Sequence, residues 1–275
     1  MSGLALALRR RLDRAAPEGL KNGPVVRDDM LASILYDPAI PEAVAGVLPD
    51  DSSEWPLPAR TAAFMARLIQ RRNLGRALEF GAGSSSVVLA HALAARGGGM
   101  LTSLERSPEW CAGQWAEVSR LQSVDARLVP SRLVFRSTRA GVAWCYEEAP
   151  AALAERGPFD LVLVDAPQSW VGRAGAMRTA LAHLSEGAVI VVDDAGREGE
   201  RNLVGGWLRA YPGLSLAAFD PEFGRLGIAV LVFDGNRSVR LDALTVAGSV
   251  LDALRNARRR RLERVAGAQA PASAS

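Results

Sequence analysis

Arg76-Ala77-Leu78-Glu79-Phe80-Gly81-Ala82-Gly83-Ser84-Ser85-Ser86-Val87-Val88-Leu89-Ala90 is the stretch that decides the fold. A short apolar run, Ala77, Leu78 and Phe80, ends in Gly81-Ala82-Gly83, and a tract without an early breaker, Val87 to Ala95, follows at once. That order is strand, tight glycine turn, helix: the first unit of a doubly wound α/β domain whose turn receives a nucleotide-like ligand. Gly81 and Gly83 let the backbone approach a ligand and take positive φ at little cost. Ser84 to Ser86 open the helix and cap its free N–H groups. Two glycines alone are weak evidence, so their neighbours carry the argument. Glu79 stands two residues before the first glycine. Glu105 ends the next apolar run, Met100 to Leu104, where a carboxylate is placed to accept both hydroxyls of a ribose.

Glu79-Phe80-Gly81-Ala82-Gly83, followed by Glu105, resembles motifs I and II of the class I S-adenosylmethionine (SAM) methyltransferases, and the resemblance runs from about Arg76 to Phe233. Ser86 holds the place of the third glycine of dinucleotide-binding turns; SAM, which carries no phosphate, needs that glycine less. The resemblance implies a cofactor set of Glu79, Gly81, Ala82, Gly83, Ser84, Ser85, Glu105, Arg106 and Asp165. It also implies an α/β fold with a seven-stranded sheet in the order 3-2-1-4-5-7-6, the last strand antiparallel and helices on both faces.

Length and composition agree with one such domain and its appendages. The chain has 275 residues, 49% of them hydrophobic, and a formal net charge of +3, too small to imply nucleic acid by itself. Lys21 is the only lysine, a skew that points to a GC-rich bacterial genome. Cys111 and Cys145 match no metal or redox spacing and suit buried thiols in a reducing compartment. The opening MSGLALALRRRLDR places its charges after a very short apolar run, the reverse of a signal peptide, and no apolar run is long enough to span a membrane. A cytoplasmic location is expected.

Residues 1–75 are expected to form an N-terminal helical cap, with helices over Leu4–Arg14, Arg27–Tyr36 and Pro58–Arg72 and punctuation at Pro38, Pro41, Pro49, Pro56 and Pro58. The SAM-binding domain spans 76–235. Its strands are expected at Ala77–Phe80, Leu101–Glu105, Leu133–Arg136, Phe159–Val164, Ala188–Val192, Leu214–Phe219 and Ile228–Phe233. Helices follow Ser107-Pro108, over Gly172–Leu184 and over Arg197–Tyr211. Gly141 to Glu147 reads as a loop or short helix. The third strand offers Arg136 and Ser137 where the family places an acid or amide near adenine. Residues 236–265 form a C-terminal helix suited to packing on the domain or on a second copy in a homodimer. Its Arg258–Arg261 run reads as a solvated helix end. Residues 266–275, rich in Ala, Ser and Pro, form a disordered tail.

Ligands of a doubly wound sheet sit at the carboxyl ends of its strands. Asp165 ends the fourth strand; Asp193 and Asp194 end the fifth. Those strands are neighbours, so three carboxylates should gather beside the transferred methyl. Charges about 4 Å apart repel by roughly 4 kcal/mol at an effective dielectric of 20, so a cation must answer them: Mg²⁺ or another divalent ion, a substrate amine, Arg178 or Arg197. Asp165, Asp193 and Asp194 are the candidate metal ligands, and with Arg197 the candidate catalytic set. The arrangement resembles metal-dependent catechol-type O-methyltransferases, with Asp194 in place of their Asn and Gln168 where they commonly have Lys. Asp193-Asp194-Ala195-Gly196-Arg197 with Glu200 is closer to bacterial class I methyltransferases associated with glycans and small molecules. The resemblance therefore implies methyl transfer to an oxygen of a small molecule or sugar.

A free carboxyl titrates near 4 and an aliphatic hydroxyl near 16, so full deprotonation by Asp is uphill by roughly 16 kcal/mol. The proton must leave in concert with methyl transfer, or a metal must acidify the hydroxyl. His91 and His183 read as packing or capping residues. Trp144 and Tyr146 are candidates for an acceptor pocket or for the core. Asp165-Ala166-Pro167-Gln168 lacks the Pro-Pro-aromatic continuation of enzymes that methylate amino groups of DNA bases, which argues against nucleic acid. Two alternatives stand beside this reading: an NAD(P)-dependent oxidoreductase, and a non-catalytic binding protein that keeps the fold.

Overall fold

The computed structural model describes residues 3–49 and 57–269. Pro56, and the expected tail from residue 270 onward, lie outside the described residues. Before the glycine turn come α1 (Gly3–Ala15), β1 (Val25–Val26), α2 (Asp29–Leu35), α3 (Glu42–Ala45) and α4 (Ala59–Arg72). The Asp28 carboxylate caps α2 by accepting from the Met30 amide at 2.9 Å, and Asn73 ends α4 in the left-handed region at φ 52°. The alternating body follows: β2 (Arg76–Phe80), α5 (Ser84–Ala95), β3 (Gly99–Glu105), α6 (Ala112–Val118), β4 (Val124–Pro130), β5 (Leu133–Thr138), β6 (Gly141–Tyr146), α7 (Ala149–Arg156), β7 (Phe159–Val164), α8 (Trp170–Ala180), β8 (Leu184–Asp193), α9 (Glu198–Ala210), β9 (Leu214–Asp220) and β10 (Ile228–Phe233). A long helix, α10 (Ala243–Gln269), closes the described chain and takes in the first residues of the expected tail. No helix among the described residues is long and apolar enough to cross a membrane.

The main sheet runs β1-β9-β10-β8-β7-β2-β3-β4. Its last seven strands reproduce the expected order, with β10 antiparallel to both β8 and β9. An eighth strand extends the edge: β1 pairs antiparallel with β9 through Val25–Phe219 and Val26–Ala218. Two residues carry no periodicity, so that strand has no sequence signature.

The third strand departs from expectation. It is Val124–Pro130, paired with β3 from Gly99–Val124 to Glu105–Pro130, and not Leu133–Arg136. As an edge strand it is only half-buried, so Asp125 and Arg127 dilute its apolar signal. Leu133–Thr138 instead pairs antiparallel with Gly141–Tyr146 in a separate two-stranded sheet. Gly141–Glu147 is therefore mostly strand, not a loop or helix. Arg136 and Ser137, both exposed, lie on this hairpin rather than at the end of a sheet strand.

Side chains alternate across the sheet and feed two interiors. Leu78, Phe80, Val162, Val164, Ile190 and Val192 face a core completed by the hairpin, α8, α9 and Leu12 of α1. Ala77, Leu161, Leu163, Val189 and Val191 face the other, completed by α2, α4 and α5. Helix α8 lies very close to the hairpin, because a Cβ on Gly175 would stand 2.0 Å from the Trp144 carbonyl oxygen.

Gly175→Ala must therefore separate α8 from β6. It should destabilise the chain by about 2 kcal/mol or more in urea denaturation, whereas the same change at open Gly113 should cost far less.

Candidate functional site

The glycine turn is built by backbone contacts between adjacent strand ends. The Gly81 amide donates to the Leu104 carbonyl at 2.9 Å, and the Ala166 amide to the Phe80 carbonyl at 2.9 Å. Gly81 has φ 96°, and a Cβ there would lie 2.4 Å from the Ala166 Cβ, so both conformation and space demand glycine. Gly83 differs from expectation: its φ of 176° is extended, and a Cβ would meet nothing within 4 Å. Its value is open space rather than conformational freedom.

Glu105 locks the turn to β3. Its Oε2 accepts from the Ala82 amide at 3.1 Å and its Oε1 from the Ser107 amide at 2.8 Å. Gly81 to Ser85, Glu105, Asp165 and Gln168 line one cavity of about 250 Å³, closed on one side by Leu57. Of the expected cofactor set, Arg106 is exposed and Glu79 is wholly buried beneath the turn. Of the three serines expected as caps, Ser86 takes the role, its Oγ accepting from the Gly83 amide at 3.1 Å. Ser84 Oγ instead accepts from the Leu57 amide at 3.3 Å and ties the turn to the segment before α4.

Glu79 is the most constrained carboxyl at the turn. Ser86 and Ser103 hydroxyls donate to its Oε2 at 2.5 and 2.7 Å. Its Oε1 is buried with no partner among the described residues. Burial pushes its pKa up from 4.5 to about 7, against the lowering effect of the serine hydroxyls.

The three aspartates do converge: Asp165, Asp193 and Asp194 each offer an oxygen within 4.8 Å of the others. The cation that answers them is Arg173 of α8, which is fully buried. Its Nη2 donates to Asp165 Oδ1 at 3.2 Å and to Asp194 Oδ2 at 3.0 Å. Its Nη1 donates to the Asp193 carbonyl at 2.5 Å and lies 3.7 Å from Glu200 Oε1; its Nε donates to the Asp165 carbonyl at 3.0 Å. Arg197 adds a bridge to Asp194 Oδ2 at 3.0 Å. Arg178 does not take part; its nearest polar partner is Cys145 Sγ at 3.6 Å.

These contacts set the protonation pattern. Burial alone would lower the Arg173 pKa, but Asp165, Glu200, Asp194 and Asp193 outweigh it and hold the guanidinium charged. Burial, followed by Asp165 and Asp194, pushes Asp193 well above the usual carboxylate range. Asp165 is also raised, by burial first and Asp194 next, with Arg173 opposing. Asp194 sits in the left-handed region at φ 58°, a conformation Asp tolerates and one that recurs at functional sites. The trio fits a divalent ion poorly: Arg173 already claims an oxygen of Asp165 and of Asp194, and a dication beside it would face a buried positive charge.

His91, His183 and Trp144 lie away from these carboxylates. His91 Nε2 is 3.4 Å from Glu117 Oε1, and His183 lies in the turn before β8. Trp144 faces a separate apolar groove of about 480 Å³ with Phe135, Val171 and Leu254. Tyr146 is buried against Phe80, their rings 5.8 Å apart. Arg173 is the functional residue that sequence reasoning missed. Its signal was position: the first turn of the helix after Asp165, among the small residues Gly172, Ala174, Gly175 and Ala176.

Glu79 binds its proton more tightly folded than unfolded, so its contribution to stability is fully present below pH 4.5 and lost as pH rises to about 7. Between pH 5 and 8 the wild type should lose roughly 2–3 kcal/mol more than Glu79→Gln in urea denaturation; equal slopes would refute the burial effect. Arg173→Met should cost about 3–5 kcal/mol at pH 7 by the same measurement. The loss should shrink as pH falls, because Asp165 and Asp193, both raised chiefly by burial, take up protons more readily than solvated carboxylates.

A family model described as a methyltransferase domain matches residues 78–195. Among solved structures, the SAH-bound Podospora anserina methyltransferase PaMTH1 is 17% identical with a TM-score of 0.50, covering 75% of this chain and 94% of its own. The Bacillus cereus O-methyltransferase in complex with SAH is 21% identical with a TM-score of 0.45, covering 76% and 93%. The Streptomyces achromogenes O-methyltransferase TomG, in complex with SAM and involved in tomaymycin synthesis, is also 21% identical, covering 76% and 92% with a TM-score of 0.45. No curated protein matches the chain. At these identities the likeness to solved structures is one of fold. The matched segment begins on the first sheet strand and ends just past Asp194, so it contains both the glycine turn and the aspartates: residues 78–195 match a methyltransferase domain, and the fold around them is shared with SAH-bound PaMTH1.

Proposed function

We propose that the chain transfers a methyl group from SAM to an oxygen of a small molecule or sugar. The observation that carries this reading is the single cavity shared by the glycine turn, Glu105 and Asp165. SAM supplies an electrophilic methyl on a sulfonium. Glu105, fixed by two amides, keeps lone pairs free for ribose hydroxyls. The room beside Gly83 is what a ligand seated on the turn would use. O-methyltransferases among the structural relatives are bound to SAM or SAH, which favours the same cofactor and reaction here.

Asp165 and Asp193 act together as proton acceptors for the attacking hydroxyl. Their raised pKa values make each a stronger base than a solvated carboxylate, and proton loss accompanies methyl transfer rather than preceding it. Arg173 holds both strand ends in place, and Arg197 orients Asp194 from the solvent side. Alignment of hydroxyl and methyl supplies much of the rate. In this reading Arg173, and not a divalent ion, balances the carboxylates. The buried thiols Cys111 and Cys145 suit a reducing, cytoplasmic setting.

Isothermal titration should show SAH binding and no NAD binding, with the SAH affinity unchanged by Mg²⁺ or EDTA. Glu105→Gln should weaken SAH about tenfold or more by loosening the turn and losing charge-assisted hydrogen bonds. Binding of NAD but not SAH would overturn the assignment.

A further inference from the structure

We infer that the chain has a second ligand site, for a small soluble molecule bearing a phosphate-like multivalent anion, at the edge of the sheet opposite the carboxylates. The site is a cavity of about 590 Å³ between the β5–β6 turn, the C-terminal ends of α8 and α9, and the segment after β10. Arg139, Arg178 and Arg237 line it, and no carboxylate does.

None of the three guanidiniums has a carboxylate partner among the described residues. Arg178 reaches only the Cys145 sulfur, and Arg139 has no hydrogen-bond or ionic partner there. Arg237 donates to the Leu184 carbonyl at 2.6 Å and to the Gly235 carbonyl at 3.4 Å, and lies over the Phe233 ring at 5.5 Å. Some exposed arginines find acids: Arg127 meets Glu155 at 2.7 Å, and Arg71 and Arg132 pair with Asp37 and Glu147. Three like charges gathered on one cavity repel one another unless an anion joins them.

A second, independent feature points to a ligand. Tyr211 is only 2% exposed and lines the cavity, yet no group among the described residues takes up its hydroxyl. Its hydroxyl is not sealed in the core but opens onto the cavity, where it can donate to a ligand oxygen. Burial pushes its pKa up, so it remains a neutral O–H donor. Ser137 and Ser238 add hydroxyls to the same wall. Guanidinium forks and neutral donors together match the several oxygens of a phosphate better than the two of a carboxylate. Leu181 and Val239 leave apolar wall for an organic portion.

The site is separate from the methyl-transfer cavity. Arg237 holds the first residue of β8, Leu184, and Asp193 is its last. Nine steps of strand place them about 30 Å apart. Helix α8 nonetheless joins the two, with Arg173 on the carboxylates and Arg178 on this cavity.

The test is isothermal titration of the full chain with inorganic pyrophosphate at low salt. One-to-one binding is expected, weakened about tenfold or more by Arg178→Gln combined with Arg237→Gln, and about threefold by Tyr211→Phe. Should the double variant unfold, shown by its circular dichroism, Arg139→Gln on the exposed hairpin turn provides the same test and should weaken binding about threefold. Absence of pyrophosphate binding, or equal binding by the variants, would overturn the proposal. So would sedimentation with phosphatidic acid vesicles in the absence of binding to free pyrophosphate, since that assigns the arginines to a lipid surface.

Discussion

The guanidinium of Arg173 is the constraint on which the site depends. It is fully buried and reaches carbonyl or carboxylate oxygens from the ends of two neighbouring strands. Three acids within 4.8 Å of one another could not share that space uncompensated, since each close pair costs roughly 4 kcal/mol even at an effective dielectric of 20. A buried ion network of this kind is weak as a source of net stability but strong as a determinant of geometry. Here it fixes where the strands end and which oxygens remain for a ligand.

Arg173 can do this only because its helix comes close. A Cβ on Gly172 would stand 2.7 Å from the Pro167 carbonyl oxygen, and one on Gly175 would strike the Trp144 carbonyl. The small residues of α8 are therefore the reason its one large inward residue reaches the strand ends. The helix begins at Ser169, held at φ 84°, whose amide donates to Glu200 at 2.9 Å. Glu200 in turn faces Arg173, so the start of α8, the start of α9 and the aspartates form one electrostatic unit.

Much of this was legible in the residues. Central strands such as β7 are apolar along Leu161–Val164 because both faces are covered, and the glycine turn with Glu79 and Glu105 announced the first strand–turn–helix unit of the sheet. The losses have physical causes. Val124–Pro130 was missed because an edge strand is half solvated and its pattern is diluted. Gly141–Tyr146 was missed because a hairpin outside the sheet has the same local chemistry as a loop until its partner is known. Arg173 was missed because burial is a tertiary property: nothing local separates it from Arg178, which lies on the same helix and faces solvent. Gly83 looks like Gly81 in sequence, yet only the fold shows that one needs the left-handed region and the other needs emptiness.

The sheet divides the interior in two, and the halves carry different duties. One contains Phe80, Trp207 and Tyr211 together with the hairpin; the other contains Phe64, Phe223 and the apolar face of α5. The first backs the aspartates, while the second supports the helix that follows the glycine turn. Substitutions that drift through one half are insulated from the other by a layer of backbone hydrogen bonds. The hairpin side can thus be repacked with little disturbance to the helices on the opposite face, and a core substitution should be felt mainly on its own side of the sheet.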